Sequence, residues 1–133
     1  MTNWLSGMRV TADRLNDHTA DATTTSGLVA ATDFTVNSFS GRKASGTTTV
    51  VVFVQYTGSG LALSSGNLID TLMCTLPAGW RPPETINATW GDGTESGECT
   101  IGTTGQITLR SSNLSIPQNR GIRVTSGWIS ENT

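Results

Sequence analysis

An all-β, antiparallel sandwich is the fold class this sequence predicts, and three observations carry it. Short runs rich in Val, Ile, Thr and aromatic residues recur about every ten residues, separated by Gly, Ser, Asn and Pro. Helical character is confined to one brief stretch near the amino terminus. Polarity comes from Thr, Ser, Asn and 15 glycines, with charged residues at only 14%, a composition suited to strands with hydroxyl-bearing outer faces and tight turns.

The brief helical stretch is Ala12 to Asp17, with Thr11 as its N-cap and Asp13 in its first turn. It is far below the ~12–15 residues at which a lone helix becomes marginal. It therefore needs Trp4, Leu5, Met8, Val10 and Leu15 to dock on the chain's own sandwich, on sister chains or on a neighbouring protein. Residues Thr19 to Ser26 contain no apolar side chain larger than alanine and read as a linker. Residues 1–27 thus form an attachment or oligomerisation segment with its linker, and residues 28–133 a β-sandwich head.

Asp33 to Phe39 alternates as a strand, with Phe34, Val36 and Ser38 expected on one side. A polar stretch between Gly41 and Gly46 leads into Thr47–Tyr56, the strongest strand signal. Its centre is apolar on both faces, which predicts a central strand covered on both sides, one of them by another subunit. Thr57 to Gly60 is a turn, and no long helix follows its Gly-x-Gly to hold an anion. After Leu61 to Leu63 and a Ser-Ser-Gly-Asn turn, a strand runs through Ile69–Leu76 until prolines end it. Thr85 to Trp90 alternates with Ile86, Ala88 and Trp90 inward. Gly91 to Gly97 reads as an acidic loop. Gly97–Ile101 and Gln106–Arg110 pair as a hairpin through Gly102-Thr-Thr-Gly105. Arg120 to Ile129 closes the set, with Ile122, Val124 and Trp128 in phase and Arg123 and Thr125 opposite.

With 133 residues the chain supports one domain and a serviceable but marginal core, so oligomerisation is expected to help. Eight basic against ten acidic residues, net charge −2, leave no basic stripe for a row of phosphates, so no nucleic-acid partner is expected. No apolar run reaches the roughly 18 residues of a membrane span, so no membrane insertion is expected. The start, Met-Thr-Asn-Trp-Leu-Ser, has neither the basic nor the apolar segment of a signal peptide, and synthesis in a cytoplasm is expected.

Little in the sequence suggests catalysis, and no cofactor is expected. His18, the only histidine, lies in the appendage, away from any nucleophile of the head. Asp92, Glu95 and Glu98 offer carboxylates for a glycosidase pair or weak calcium binding, but they share one glycine-flanked loop and read as solvated. No metal site is assigned. Cys74 and Cys99 are too few for a disulfide scaffold or zinc site. Parity places Cys99 with Ile101, and Cys74 with Leu72 and Leu76. Two buried thiols are the default, with a disulfide or reactive pair as the alternative. Phe53, Trp90 and Trp128 lie in phase with aliphatic residues and read as core. Trp80 sits in a proline-bounded corner beside Arg81, either capping the sandwich core or, with Arg81, offering a ring and a guanidinium to a ligand.

The corner Thr75-Leu-Pro-Ala-Gly-Trp-Arg-Pro-Pro-Glu-Thr85, followed by the hairpin Glu98 to Leu109, resembles the carboxy-terminal β-sandwich of phage tail-fibre and baseplate receptor-binding proteins. Trp4-Leu-Ser-Gly-Met-Arg-Val-Thr-Ala-Asp-Arg-Leu-Asn16 is similar to a Trp-x-x-Gly-x-x-Val-Thr-Ala-x-x-Leu-Asn segment near the start of tail-associated virion proteins. The resemblance implies a jelly-roll-like topology, a homotrimer and a place in the virion among other virion proteins. It also implies attachment through Trp4, Leu5, Met8, Val10 and Leu15, and contact of the head with host cell-surface carbohydrate, Trp80 and Arg81 being the first ligand-binding candidates. The linker departs from the family in being only a few residues long, where a shoulder or shaft is usual. That keeps a non-adhesive virion accessory open (a head decoration, head fibre or tail-tip protein), and beside it a lectin-like binding module.

Overall fold

The computed structural model describes residues 22–65 and 67–130. Among the described residues nine strands form and no helix: β1 Ala22–Thr24, β2 Val29–Ala30, β3 Phe34–Ala44, β4 Thr47–Tyr56, β5 Asn67–Thr75, β6 Ile86–Gly91, β7 Ser96–Ile101, β8 Gln106–Ser111 and β9 Gly121–Ile129. The expected helix at Ala12 to Asp17, the attachment residues Trp4, Leu5, Met8, Val10 and Leu15, and His18 lie outside the described residues.

The strands join in one antiparallel sheet, ordered β1-β3-β4-β9-β6-β7-β8-β5-β2. The sheet curls on itself as a sandwich does, around a single apolar core. β6, β7 and β8 are successive neighbours and β5 returns to lie beside β8, which is a Greek key, the unit that jelly rolls combine in pairs. Val50, Val52 and Val54 of β4, Ile122 and Val124 of β9, and Trp90 of β6 are wholly buried. On the facing part of the curl, Met73, Cys74, Cys99, Ile101, Ile107 and Leu109 are wholly buried as well. This alternation is the period-2 pattern of a half-buried sheet.

Bulges account for most departures from strict alternation. In β3 the register passes from Val36↔Val54 to Ser38↔Phe53, so Asn37 is an extra residue. The phase reverses there: Ser38, expected inward, is exposed, and Phe39 is buried. In β5 the register skips between Leu72↔Thr108 and Cys74↔Ile107. Leu72 is thereby turned outward, away from the buried Cys74 and Leu76 with which it was expected to share a face.

Three other expectations change. Ala22–Thr24, inside the stretch read as linker, pairs with Gly41, Arg42 and Lys43 and extends the sheet by a strand. The polar stretch after Gly41 continues β3 into a hairpin, with Ser45 (φ 52°) and Gly46 (φ 80°) forming its two-residue turn. β4 is central, between β3 and β9, and within the chain the core fills one of its faces. Val51 on the other face is 44% exposed, and Phe53, expected in the core, is half-buried there beneath the Arg123 guanidinium at 4.1 Å.

Trp90 is the largest buried side chain, and the sequence around it makes room. Its Nε1–H donates to the Ser111 carbonyl at 2.9 Å. Gly97, directly across from it on β7, is the residue that permits this approach. A Cβ at Gly97 would run into the Ser111 carbonyl and lie 2.7 Å from the indole nitrogen.

Cys74 and Cys99 are both free and buried. They stand on β5 and β7 with β8 between them, opposite Ile107 and Leu109, so their Cα atoms are two strand spacings and two residues apart, about 12 Å. A disulfide needs less than about 7 Å. Burial, reinforced by Cys99, pushes the Cys74 thiol up to about 12, and burial with the neighbouring Glu98 pushes Cys99 up to about 12. From the usual value of 9.0 upward, the unfolded chain loses thiol protons that the folded chain keeps. Stability therefore falls as pH rises from about 9 to 12. The urea midpoint is expected to drop more steeply across that window in the natural chain than in the double variant Cys74→Ala, Cys99→Ala. Equal slopes would show that the thiols ionise alike in both states.

Candidate functional site

The proline-bounded corner leaves β5 at Thr75 and crosses from one layer of the curled sheet to the other. Leu76 is still held to the β7–β8 hairpin, its N–H donating to the Gly105 carbonyl at 2.8 Å. A turn then forms over Pro77 to Trp80, closed by the Trp80 N–H on the Pro77 carbonyl at 3.1 Å. Trp80 and Arg81 are adjacent in sequence but serve opposite layers. Arg81 turns back to the hairpin side and donates through Nε to the Leu76 carbonyl at 2.9 Å. Trp80 reaches β3 and lies over Gly41, where a Cβ would come within 2.8 Å of the ring; Thr24 of β1 is beside it. Lys43, two residues further along the same face of β3, sets its ammonium 4.9 Å from the Trp80 ring centre.

Both candidates are half-buried. Trp80 closes the open rim of the sandwich, and Arg81 fixes the corner to the hairpin. What remains exposed is part of an indole with the Lys43 ammonium beside it, while the Arg81 guanidinium is turned to the opposite layer. That set can stack on an apolar sugar face and hold a hydroxyl or an anion. Lys43 is the member that sequence reasoning missed, because it fell in a stretch read as a loop. The usable signal was the Gly41-x-Lys43 spacing, which places both residues on one face once the strand is extended.

This rim is also where the amino-terminal part of the chain enters. Ala22 pairs with Lys43, Lys43 with Thr48, and Thr48 with Trp128, so the start of β1 and the end of β9 lie in one cross-strand row. Ser130 continues that end, its N–H on the Gly46 carbonyl and its hydroxyl 2.6 Å from Thr48 Oγ1.

The acidic loop is not the solvated turn that its composition suggests. Asp92 Oδ1 accepts the N–H groups of Thr94 at 2.7 Å and Glu95 at 2.6 Å, an Asx-type turn legible from Asp-Gly-Thr-Glu. Asp92 and Glu95 both pair with Nη1 of Arg120, which lies far along the chain and had no visible link to the loop. The Asp92 side chain is only 3% exposed. Glu98 lies apart on β7, exposed. The loop's carboxylates are thus held as a structural cluster. Among the described residues no group of three or more His, Cys, Asp and Glu side chains is placed to hold a metal ion. No helix among them is long and apolar enough to cross a membrane.

No protein-family model matches the chain, and no curated protein sequence does.

Proposed function

We propose that the chain is a non-catalytic phage virion protein, a trimeric fibre or knob attached through its amino-terminal segment. The observation that carries this reading is the Trp4-x-x-Gly…Thr-Ala…Leu-Asn16 segment, which is similar to the attachment segments of tail-associated proteins and joins a compact β head at Ala22. Trimer formation is supported by apolar side chains that the single chain leaves uncovered on β2 and β5, Val29 at 64%, Ile69 at 78% and Leu72 at 37% exposure. Trp80, Lys43 and Arg81 supply the chemistry for weak contact with host-surface saccharide, useful when several heads bind together.

A specific observation favours the second reading, a virion accessory that binds no host ligand. The Trp80 corner stands on the rim where β1 enters, so a head anchored by its amino terminus turns this corner toward the particle. The exposed part of Trp80 is also limited by its packing on Gly41. Gold-labelled antibody against the chain should decorate intact particles, and the purified protein should sediment at three chain masses. Unlabelled particles would remove both virion readings, and a monomer at micromolar concentration would remove the trimer. Adsorption to host cells unchanged by Trp80→Ala would leave the accessory reading standing.

A further inference from the structure

The outer face of β3, β4 and β9 has a charge pattern that the net acidic chain shows nowhere else among the described residues. These three strands, which are consecutive neighbours in the sheet, contain no aspartate or glutamate. Two arginines point outward from them, Arg42 on β3 and Arg123 on β9, and both are exposed. Among the described residues neither pairs with a carboxylate, whereas Arg110 pairs with Asp70 and Arg120 with Asp92 and Glu95. The two acids of the adjoining loop are therefore already engaged by Arg120, with one negative charge left over. Of the other exposed acids, Asp33 stands in the turn before β3, Glu84 in the segment before β6, and Glu98 two strands beyond β9, on β7.

Register fixes the layout. Arg42 stands opposite Thr49, and Arg123 opposite Phe53, so the two cations are offset by four residues along β4 and by two strands across it. That is a diagonal of about 16 Å from the strand rise and spacing. Along it lie the row Ser40, Val51 and Thr125, two hydroxyls around one exposed aliphatic side chain. Arg123 is braced on the Phe53 ring, which lowers the entropy it loses on binding.

We propose that this face binds an acidic polysaccharide, laid diagonally across β4 with an anionic group at each arginine and sugar hydroxyls over the Ser40–Val51–Thr125 row. Two cations about 16 Å apart suit a chain with charge on only some of its sugars. A nucleic acid, with a phosphate on every residue, calls for a denser basic row. The site is separate from the Trp80 corner, and it stands whether or not the chain is a virion protein.

The test is calorimetric titration of the full chain with heparin and polygalacturonate oligosaccharides, with dextran and a single-stranded DNA oligonucleotide for comparison. Binding of an acidic oligosaccharide that weakens with salt is expected. Arg42→Gln with Arg123→Gln should weaken it roughly ten-fold, since two exposed charge contacts are lost. Thr125→Glu, which leaves both arginines in place, should abolish it. Arg110→Gln, an exposed arginine on β8 already paired with Asp70, should leave it unchanged. The proposal is overturned if neither acidic oligosaccharide binds, if dextran binds equally, or if Thr125→Glu binds like the natural chain with its melting temperature unaltered. DNA binding more tightly than both oligosaccharides would also overturn it, in favour of a nucleic-acid surface.

Discussion

Replacing Trp90 by alanine is expected to destabilise the head by about 5 kcal/mol, at or near the whole stability of a small domain. The side chain is wholly buried, so truncation leaves a large cavity where β6, β7 and β9 meet. It also deprives the Ser111 carbonyl of its indole donor. Trp90→Phe separates the two contributions, since it keeps most of the volume and loses the hydrogen bond; about 1–3 kcal/mol is expected. Guanidinium unfolding curves measure both. If Trp90→Ala unfolds at nearly the natural midpoint, the core does not close around this residue.

The second large effect belongs to Arg120. Arg120→Met would leave Asp92 and Glu95 facing each other without their shared cation, one of them almost completely buried. Removing one partner from a buried pair costs about 3–5 kcal/mol, and the lower end applies because Arg120 itself is partly exposed. Adding Asp92→Asn to Arg120→Met should recover part of the loss. The amide oxygen still accepts the Thr94 and Glu95 N–H groups, and one stranded charge is gone. A double-mutant cycle on thermal unfolding reads this directly, and full additivity would show that the two residues do not interact.

The all-β class, the Gly102–Gly105 hairpin and the inward set of β9 were legible because each is a local pattern: alternation bounded by turn chemistry. The missed features share a different cause. The bulge at Asn37 is defined by what stands opposite it on β4, and Phe39 changes face without any mark in its own sequence. β1 has no apolar side chain larger than alanine to signal a strand; its pairing depends on the edge that β3 offers. The Trp80 corner could be located from its prolines and glycine, but the ring's seat on Gly41 and under Lys43 required the strand extension to be known. Arg120 and the acidic loop illustrate the same limit. A turn can be read from four consecutive residues, whereas the cation that pairs with it comes from a position that is distant in sequence.

The row that runs from Ala22 through Lys43 and Thr48 to Trp128 has a mechanical meaning. Strands flanking β3 and β4 receive the chain at one rim, so tension between the two ends pulls both outer strands from that rim. Their ladder bonds are then loaded one after another, as in a zipper, and not all together as when strands slide lengthwise past each other. β1, only three residues long, yields first and lengthens the tether at low force, while the Greek key formed by β5 to β8 lies outside the load path. A domain built this way gives up its short edge strand under tension and keeps its core intact.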